Sequence, residues 1–211
     1  MADRPGGAGG ILPRGRHGLS REEVEASQRA RIMLALAEAM AEKGYAATSV
    51  ADVLKRARVS RETFYEHHDS KLDCFLQTFD AAAAVLQASI GEALGGGTEG
   101  RRGDRGALLE RAIGAYLDVL LAQPAFARLF LVESYAAGAA AIERRATVQA
   151  RFADALLGMA GRSSEEDRIA AQALVAFIGT SVTMPLARND LAALAALRPA
   201  LITAARVLLH P

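Results

Sequence analysis

The sequence contains no tryptophan, one cysteine and six prolines, and aromatic residues make up only 5% of its 211 positions. Strands draw on aromatic and β-branched side chains, so this scarcity argues against a sheet protein. Cys74 alone cannot form an internal disulfide, and no Cys/His spacing resembles a zinc site. No Ser/His/Asp set or paired-acid motif appears, so the sequence points to no catalytic residues, no metal and no cofactor. The opening MADRPGGAGGILPRGRHG has no apolar run suited to a secretory signal, and its Gly and Pro content predicts a flexible arm over 1–19. A reducing cytoplasm is the expected setting.

An excess of one charge is missing too: 25 Lys and Arg stand against 24 Asp and Glu, a net charge of +1. Any affinity for nucleic acid must therefore rest on local charge. The segment RGRHGLSR, with Arg14 and Arg16, holds three arginines and a histidine without an acid. A flexible basic arm of this kind reaches along phosphates or into a minor groove, although a solvated tail fits equally well.

The chain is rich instead in Ala and Leu within a 51% hydrophobic content. Both are strong helix formers, so the expected class is all-α. Ile169 to Ala187 runs without a charge between Arg168 and Arg188, long enough to span a bilayer. Gln172, Thr180, Ser181, Thr183 and Pro185 interrupt that run and its flanking charges show no one-sided bias, which favours a buried or dimer-forming helix and no membrane.

Capping signals punctuate the first third. Ser20-Arg-Glu-Glu23 is a capping box that predicts a helix from Arg21, carried by Ile32, Ala35, Leu36, Ala39 and Met40 and stopped at Gly44. Thr48-Ser49 with Asp52 opens a second helix whose Val50, Val53 and Leu54 face inward. Ala57-Arg58-Val59 makes a turn, Ser60 caps a third helix to about His67, and Ser70 with Asp73 starts a fourth that runs to about Leu94. Three helix starts in so short a span describe a helix-turn-helix better than an ordinary bundle. On the third helix Phe64 should point inward, leaving Arg61, Glu62, Thr63, Tyr65 and His67 outside, where they suit guanine edges, thymine methyls and phosphates.

Beyond a flexible GGGTEGRRGDRG connection, apolar periodicity predicts helices over about 107–122, 124–136, 139–160, 164–184 and 190–209, with Ser163 and Ser164 before Glu166 and Asp167 marking a helix start. Gly95, Gly97 and Gly100 satisfy G-x-G-x-x-G, but they follow a helix where a dinucleotide loop must follow a strand. The last two helices are apolar around much of their circumference, and a second subunit is an economical way to bury them. Tyr116, Phe126, Phe130, Glu133, Phe152, Phe177 and Met184 stand in these apolar segments as candidate ligand contacts or as ordinary core. Glu133 needs a partner there, for which Arg128, Arg144 and Arg145 are at hand.

The order Val59-Ser60-Arg61-Glu62-Thr63-Phe64-Tyr65-Glu66-His67, then Ser70-Lys71 and an apolar helix, resembles the DNA-binding domain of the TetR family of bacterial transcriptional regulators. The resemblance covers about Ser20 to Asp80. It implies about nine helices: a three-helix DNA-binding domain over 20–72 and a larger ligand-binding and dimerisation domain over 73–211. It implies a repressor bound as a homodimer to a palindromic operator, paired through helices 164–184 and 190–209 and released by a small, largely apolar effector. Within it Thr63, Tyr65 and His67 look like operator contacts, Arg61 and Glu62 like base-reading or adjacent positions, Lys71 like a phosphate anchor, and Thr48 and Ser49 like phosphate contacts at a helix N-terminus. One departure is His68, where the family usually has a large apolar residue. The rival expectation is a dimeric DNA-binding regulator or architectural protein without a small-molecule ligand.

Overall fold

The computed structural model describes residues 20–95, 105–161 and 163–209. The arm expected over 1–19, with Arg14 and Arg16, and most of the glycine-rich connection lie outside the described residues. Within them every regular element is helical: α1 (Arg21–Ala47), α2 (Val50–Ala57), α3 (Arg61–His67), α4 (Lys71–Gly95), α5 (Arg105–Ala122), α6 (Pro124–Arg128) running into a π-helical turn (Leu129–Glu133), α7 (Ala139–Ala160), α8 (Glu165–Ala187), α9 (Leu191–Ala196) and α10 (Arg198–Leu209).

The expected caps form. Ser20 and Glu23 bond each other's backbone N–H groups, Ser49 and Asp52 do the same for α2, Ser164 and Asp167 for α8, and the Ser60 hydroxyl accepts the Thr63 N–H. Each such cap satisfies donors that a helix start otherwise leaves without a partner. Helical hydrogen bonding resumes beyond Gly44, but Gly44 itself has φ 78°, a left-handed conformation that kinks α1 three residues before its end. Arg58 closes α2 in the left-handed helical conformation, φ 54° and ψ 49°, and turns the chain into α3.

Helices α1 to α3 pack around Ile32, Leu36, Met40, Val53 and Phe64, all without exposed surface. The continuous α4 carries this core into the second half through Phe75 and Phe79, where it joins Leu117, Leu129, Leu174, Leu194 and Leu201. The boundary expected at 72/73 thus falls near the start of one unbroken helix.

Three details depart from the periodicity reading. The segment expected as one helix over 124–136 contains the π turn. Helix α8 passes Met184 and ends at Ala187 with Pro185 inside it, a proline close enough to the end that few bonds are lost. The last helix is divided at Leu197, where Pro199 sits in the first turn of α10 and supplies no N–H to the turn before it. Helix α8 and the span Leu191–Leu209 are both long and apolar enough to cross a bilayer by length and composition, yet only 28% and 17% of their apolar windows are buried within the protein. They leave a large apolar face uncovered.

His68 caps α3 at 1% exposure, against the Phe64 ring, and neither of its ring nitrogens has a hydrogen-bond partner. Burial lowers its pKa, and the Asp73 carboxylate 3.9 Å from Nδ1 only partly offsets this. A folded-state pKa below the unfolded value of about 6.5 means that the unfolded chain takes up the proton first. The contribution of neutral His68 is therefore complete above that pH and is lost as pH falls toward the depressed folded value. His68→Phe should raise stability by about 1–2 kcal/mol at pH 8 by removing two unsatisfied buried atoms, and by more at pH 5.5, as measured by urea unfolding at both pH values. A variant no more stable than the parent at either pH would contradict this account.

Candidate nucleic-acid interface and effector cavity

Helix α3 divides its residues between core and solvent as the spacing predicts. Phe64 is wholly buried and meets the Tyr65 ring edge-on at 5.3 Å. Arg61, Glu62 and Glu66 are exposed, and Tyr65 is 46% exposed. Thr63 and His67 are half-buried at the margins: the Thr63 hydroxyl lies 2.9 Å from Ser60 Oγ, and His67 Nε2 lies 3.3 Å from Gln28 Oε1. The exposed Arg58 in the preceding turn adds a cation beside this face. Its αL backbone is a tertiary outcome that the Ala57-Arg58-Val59 reading did not single out.

The residues expected to reach phosphates divide differently. Lys71 Nζ donates to the carbonyls of Tyr45 and Thr48, both at 2.8 Å, and sits 4.1 Å from the centre of the Tyr45 ring. Partial burial lowers its pKa. Its ammonium thus ties the end of α1 to the start of α4 and does not stand free as a phosphate anchor. Thr48 is buried and its hydroxyl donates to Gly44 O at 2.8 Å, which removes it from the surface as well. Ser49 stays exposed as the cap of α2, where Lys43 and Ser49 hold the Asp52 carboxyl well below the usual carboxylate range.

A cavity of about 150 Å³ lies between α4, α5, the π turn, α7 and α8. Tyr116, Phe130 and Phe152 line it, as expected of ligand contacts, together with Arg145 and Gln149, which sequence reasoning did not place there. Their signal was present: Arg145, Gln149 and Phe152 follow i, i+4, i+7 spacing on one face of α7. Burial raises the Tyr116 phenol above its ordinary pKa, keeping it a neutral O–H donor. Two larger surface hollows, about 530 and 430 Å³, are edged by ion-paired side chains such as Asp80 with Arg144 and Arg56 with Glu42. Water competes for polar contacts in such open sites, so the smaller apolar cavity is the better ligand site.

Phe126, Glu133, Phe177 and Met184 do not line this cavity. Phe126 lines a hollow of about 20 Å³ beside Val85 and Leu120. Helix α8 is turned so that Leu174, Val182 and Leu186 face the core, while Phe177 and Met184 are 45% and 53% exposed. With Ile169, Ala173 and Thr180 they form an outward stripe at helical spacing.

Glu133 is buried between the two halves of the protein. Its Oε2 accepts the Tyr45 N–H at 2.8 Å, a donor made available by the Gly44 kink. A Cβ on Gly44 would approach that oxygen to 3.4 Å, in a conformation that L side chains rarely adopt. Its Oε1 lies 3.4 Å from Arg128 Nε, and Arg128 in turn donates to Ala187 O at 2.7 Å. Arg128 is therefore the intramolecular partner among the three arginines expected to serve. From the same π turn, the carbonyls of Phe130 and Leu131 accept from Arg145 Nη1 at 3.2 and 3.1 Å.

Residues 32–78 match the family model for bacterial regulatory proteins of the tetR family. The fold is shared with the fatty acid degradation regulator FadR from Bacillus halodurans, with a TM-score of 0.72 and 21% identity over 86% of this chain and 94% of that one. FadR from Bacillus subtilis, in complex with stearoyl-CoA, aligns with a TM-score of 0.70 and 18% identity over 86% of this chain and 97% of its own. A TetR-family transcriptional regulator from Streptomyces coelicolor aligns with a TM-score of 0.66 and 16% identity, covering 92% and 96%. No curated protein sequence matches the chain.

The geometry separates a strut from a contact. Lys71→Met should cost about 1–3 kcal/mol of stability by removing the side-chain donor to the Thr48 carbonyl and leaving the Tyr45 carbonyl with only the Thr48 N–H, whereas Tyr65→Ala should change stability by less than about 0.5 kcal/mol. Denaturant unfolding of both variants measures this, and equal stability of Lys71→Met and the parent would return Lys71 to the surface.

Proposed function

We propose that this TetR-family transcription regulator represses its target as a homodimer that grips a palindromic operator through α3 of each protomer. It lets go when a small, largely apolar ligand enters the cavity between α4, α5, α7 and α8. The observation that carries the DNA-binding reading is the division of α3, with Phe64 fully inside and Arg61, Glu62 and Tyr65 outside on a short capped helix. Arg61 is suited to a guanine edge and Tyr65 to a phosphate, with Ser49, Thr63 and His67 at the margins of the same surface. Arg14 and Arg16 would add phosphate contacts from the arm. Lys71 serves indirectly, by holding α1 and α4 in the register that presents α3.

The stripe Ile169, Phe177 and Met184 on α8, with Val207 and Leu208 on α10, supports the homodimer. A second copy covers such a face by the same surface on both subunits, which closes after two. Gln172, Thr180 and Thr183 within the stripe's helix suit a protein interface better than lipid.

An apolar, partly enclosed cavity supports a ligand-responsive regulator over a dimeric DNA-binding protein that binds no small molecule. That a protein of this fold carries stearoyl-CoA is consistent with an effector bearing an aliphatic chain. A ligand acts here only through differential affinity for the DNA-competent and DNA-incompetent arrangements. The π turn is placed to carry that difference, because one of its faces meets the cavity and the other holds Tyr45 through Glu133.

Selection of bound fragments from a genomic DNA pool supplies the operator. Arg61→Ala and Tyr65→Ala should each weaken binding to it by about tenfold or more, and affinity of the parent should fall steeply with added salt. Phe177→Glu should yield monomers in sedimentation, with helix content retained. Unaltered operator affinity in the Arg61/Tyr65 double variant would remove α3 as the reading helix, and a Phe177→Glu dimer would move the interface elsewhere.

A further inference from the structure

We propose that the cavity takes a linear aliphatic carboxylic acid and that Arg145 receives its carboxylate. This rests on the reading of the cavity as the effector site and names the chemistry of its ligand.

Arg145 is 5% exposed, lines the cavity, and pairs with no carboxylate among the described residues. Its Nη1 is held by the two π-turn carbonyls and its guanidinium carbon lies 5.0 Å from the centre of the Tyr135 ring. Those dipoles leave a buried unit charge without a counter-ion, an arrangement that is costly unless something else completes it. The remaining donors point to what completes it. Arg145 Nη2 and Gln149 Nε2 both lie 3.6 Å from the point where a Cβ on Gly179 would sit, so two N–H donors converge at one place on the cavity wall. Tyr116 lines the same cavity from α5. A guanidinium, an amide N–H and a phenol together match an anionic oxygen pair.

The remainder of the site is apolar and long. Along α7 the lining runs from Arg145 to Met159, about 21 Å at 1.5 Å per residue. A lining spread along about four turns of α7 suits an extended chain better than a compact ring system. Leu131 and Phe130 wall the cavity beside Arg145 at 3% and 6% exposure. The acid head therefore lies against the π turn and the tail runs along α7 toward Met159. A coenzyme A thioester fits this arrangement poorly, because its acyl chain carries no carboxylate to set against Arg145.

Calorimetric titration of the full chain with dodecanoic acid, dodecanol and dodecanoyl-coenzyme A tests the assignment. The acid should bind about tenfold or more tightly than the alcohol, the usual scale for a hydrogen bond to a charged group, and more tightly than the thioester. Arg145→Met should abolish the preference for acid over alcohol, chiefly by weakening binding of the acid. Gln149→Leu should reduce the same preference, which keeps the test available should Arg145→Met fail to fold. Equal binding of acid and alcohol to the parent, or tighter binding of the thioester, overturns the acid-head assignment and leaves an apolar effector site standing. Absence of binding by all three overturns both.

Discussion

The hydrogen bond from Tyr45 N–H to Glu133 joins residues far apart in sequence and holds the two halves of the protein in one arrangement. Everything around it serves to make that bond possible. Gly44 leaves the right-handed region so that the Tyr45 amide turns out of α1, and Arg128 lies against the other carboxylate oxygen so that the buried charge has a counter-ion. Lys71 then donates to the Tyr45 and Thr48 carbonyls just beyond the kink. Breaking a buried charged hydrogen bond of this kind strands both partners, so the arrangement has few stable alternatives. A junction with few alternatives is able to switch between states where a loose one only drifts.

Two contact routes leave this junction. One is polar: Glu133, Phe130 and Leu131 share the π turn, whose carbonyls are capped by Arg145 from the cavity wall, while Arg128 continues to the last carbonyls of α8. The other is aromatic. Tyr45 meets Phe75 at 5.4 Å, Phe75 meets Phe79 at 6.4 Å, and Phe79 stacks on Phe130 at 4.4 Å, with Phe130 itself lining the cavity. The cavity, the N-terminal helices and the uncovered face of α8 therefore meet through one short turn. Packed side chains shift between discrete arrangements more readily than they deform, which makes such a turn the natural place for a ligand to act.

The parts legible in the sequence are those set by local rules. Ser20, Ser49, Ser60 and Ser164 announce their helix starts through a side chain three residues from its partner, and Phe64 falls inside because the third helix has only one apolar anchor. The parts that were not legible are tertiary. Lys71 looks like a surface cation until Tyr45 and Thr48 are folded against it, and Thr48 looks exposed until the Gly44 kink buries it. From Ile169 onward most positions of α8 are apolar, on both its inner and outer faces, so no clear pattern distinguishes Leu174 and Val182 inside from Phe177 and Met184 outside. Glu133 was legible as a carboxylate in need of a partner, and Arg128 as one of three candidates, but the second partner was a backbone N–H that no side-chain pattern reports.

Magnitudes bear on how release would work. Moving a two-state equilibrium from 1:99 to 99:1 needs about 5.5 kcal/mol of differential ligand affinity. One charge-assisted hydrogen-bond contact supplies about 1.5–3 kcal/mol, so a single Arg145 head-group interaction falls short of a full switch. In the proposed dimer the contact occurs twice, and two such contacts reach about 3–6 kcal/mol, the required range, only if both protomers change together. The apolar tail cannot make up the difference unless the cavity differs in shape between the states, because a ligand bound equally well by both shifts neither. A dimer built on α8, the helix whose last carbonyls Arg128 holds, links the two π turns through the shared interface and so supplies the concerted change that the arithmetic requires.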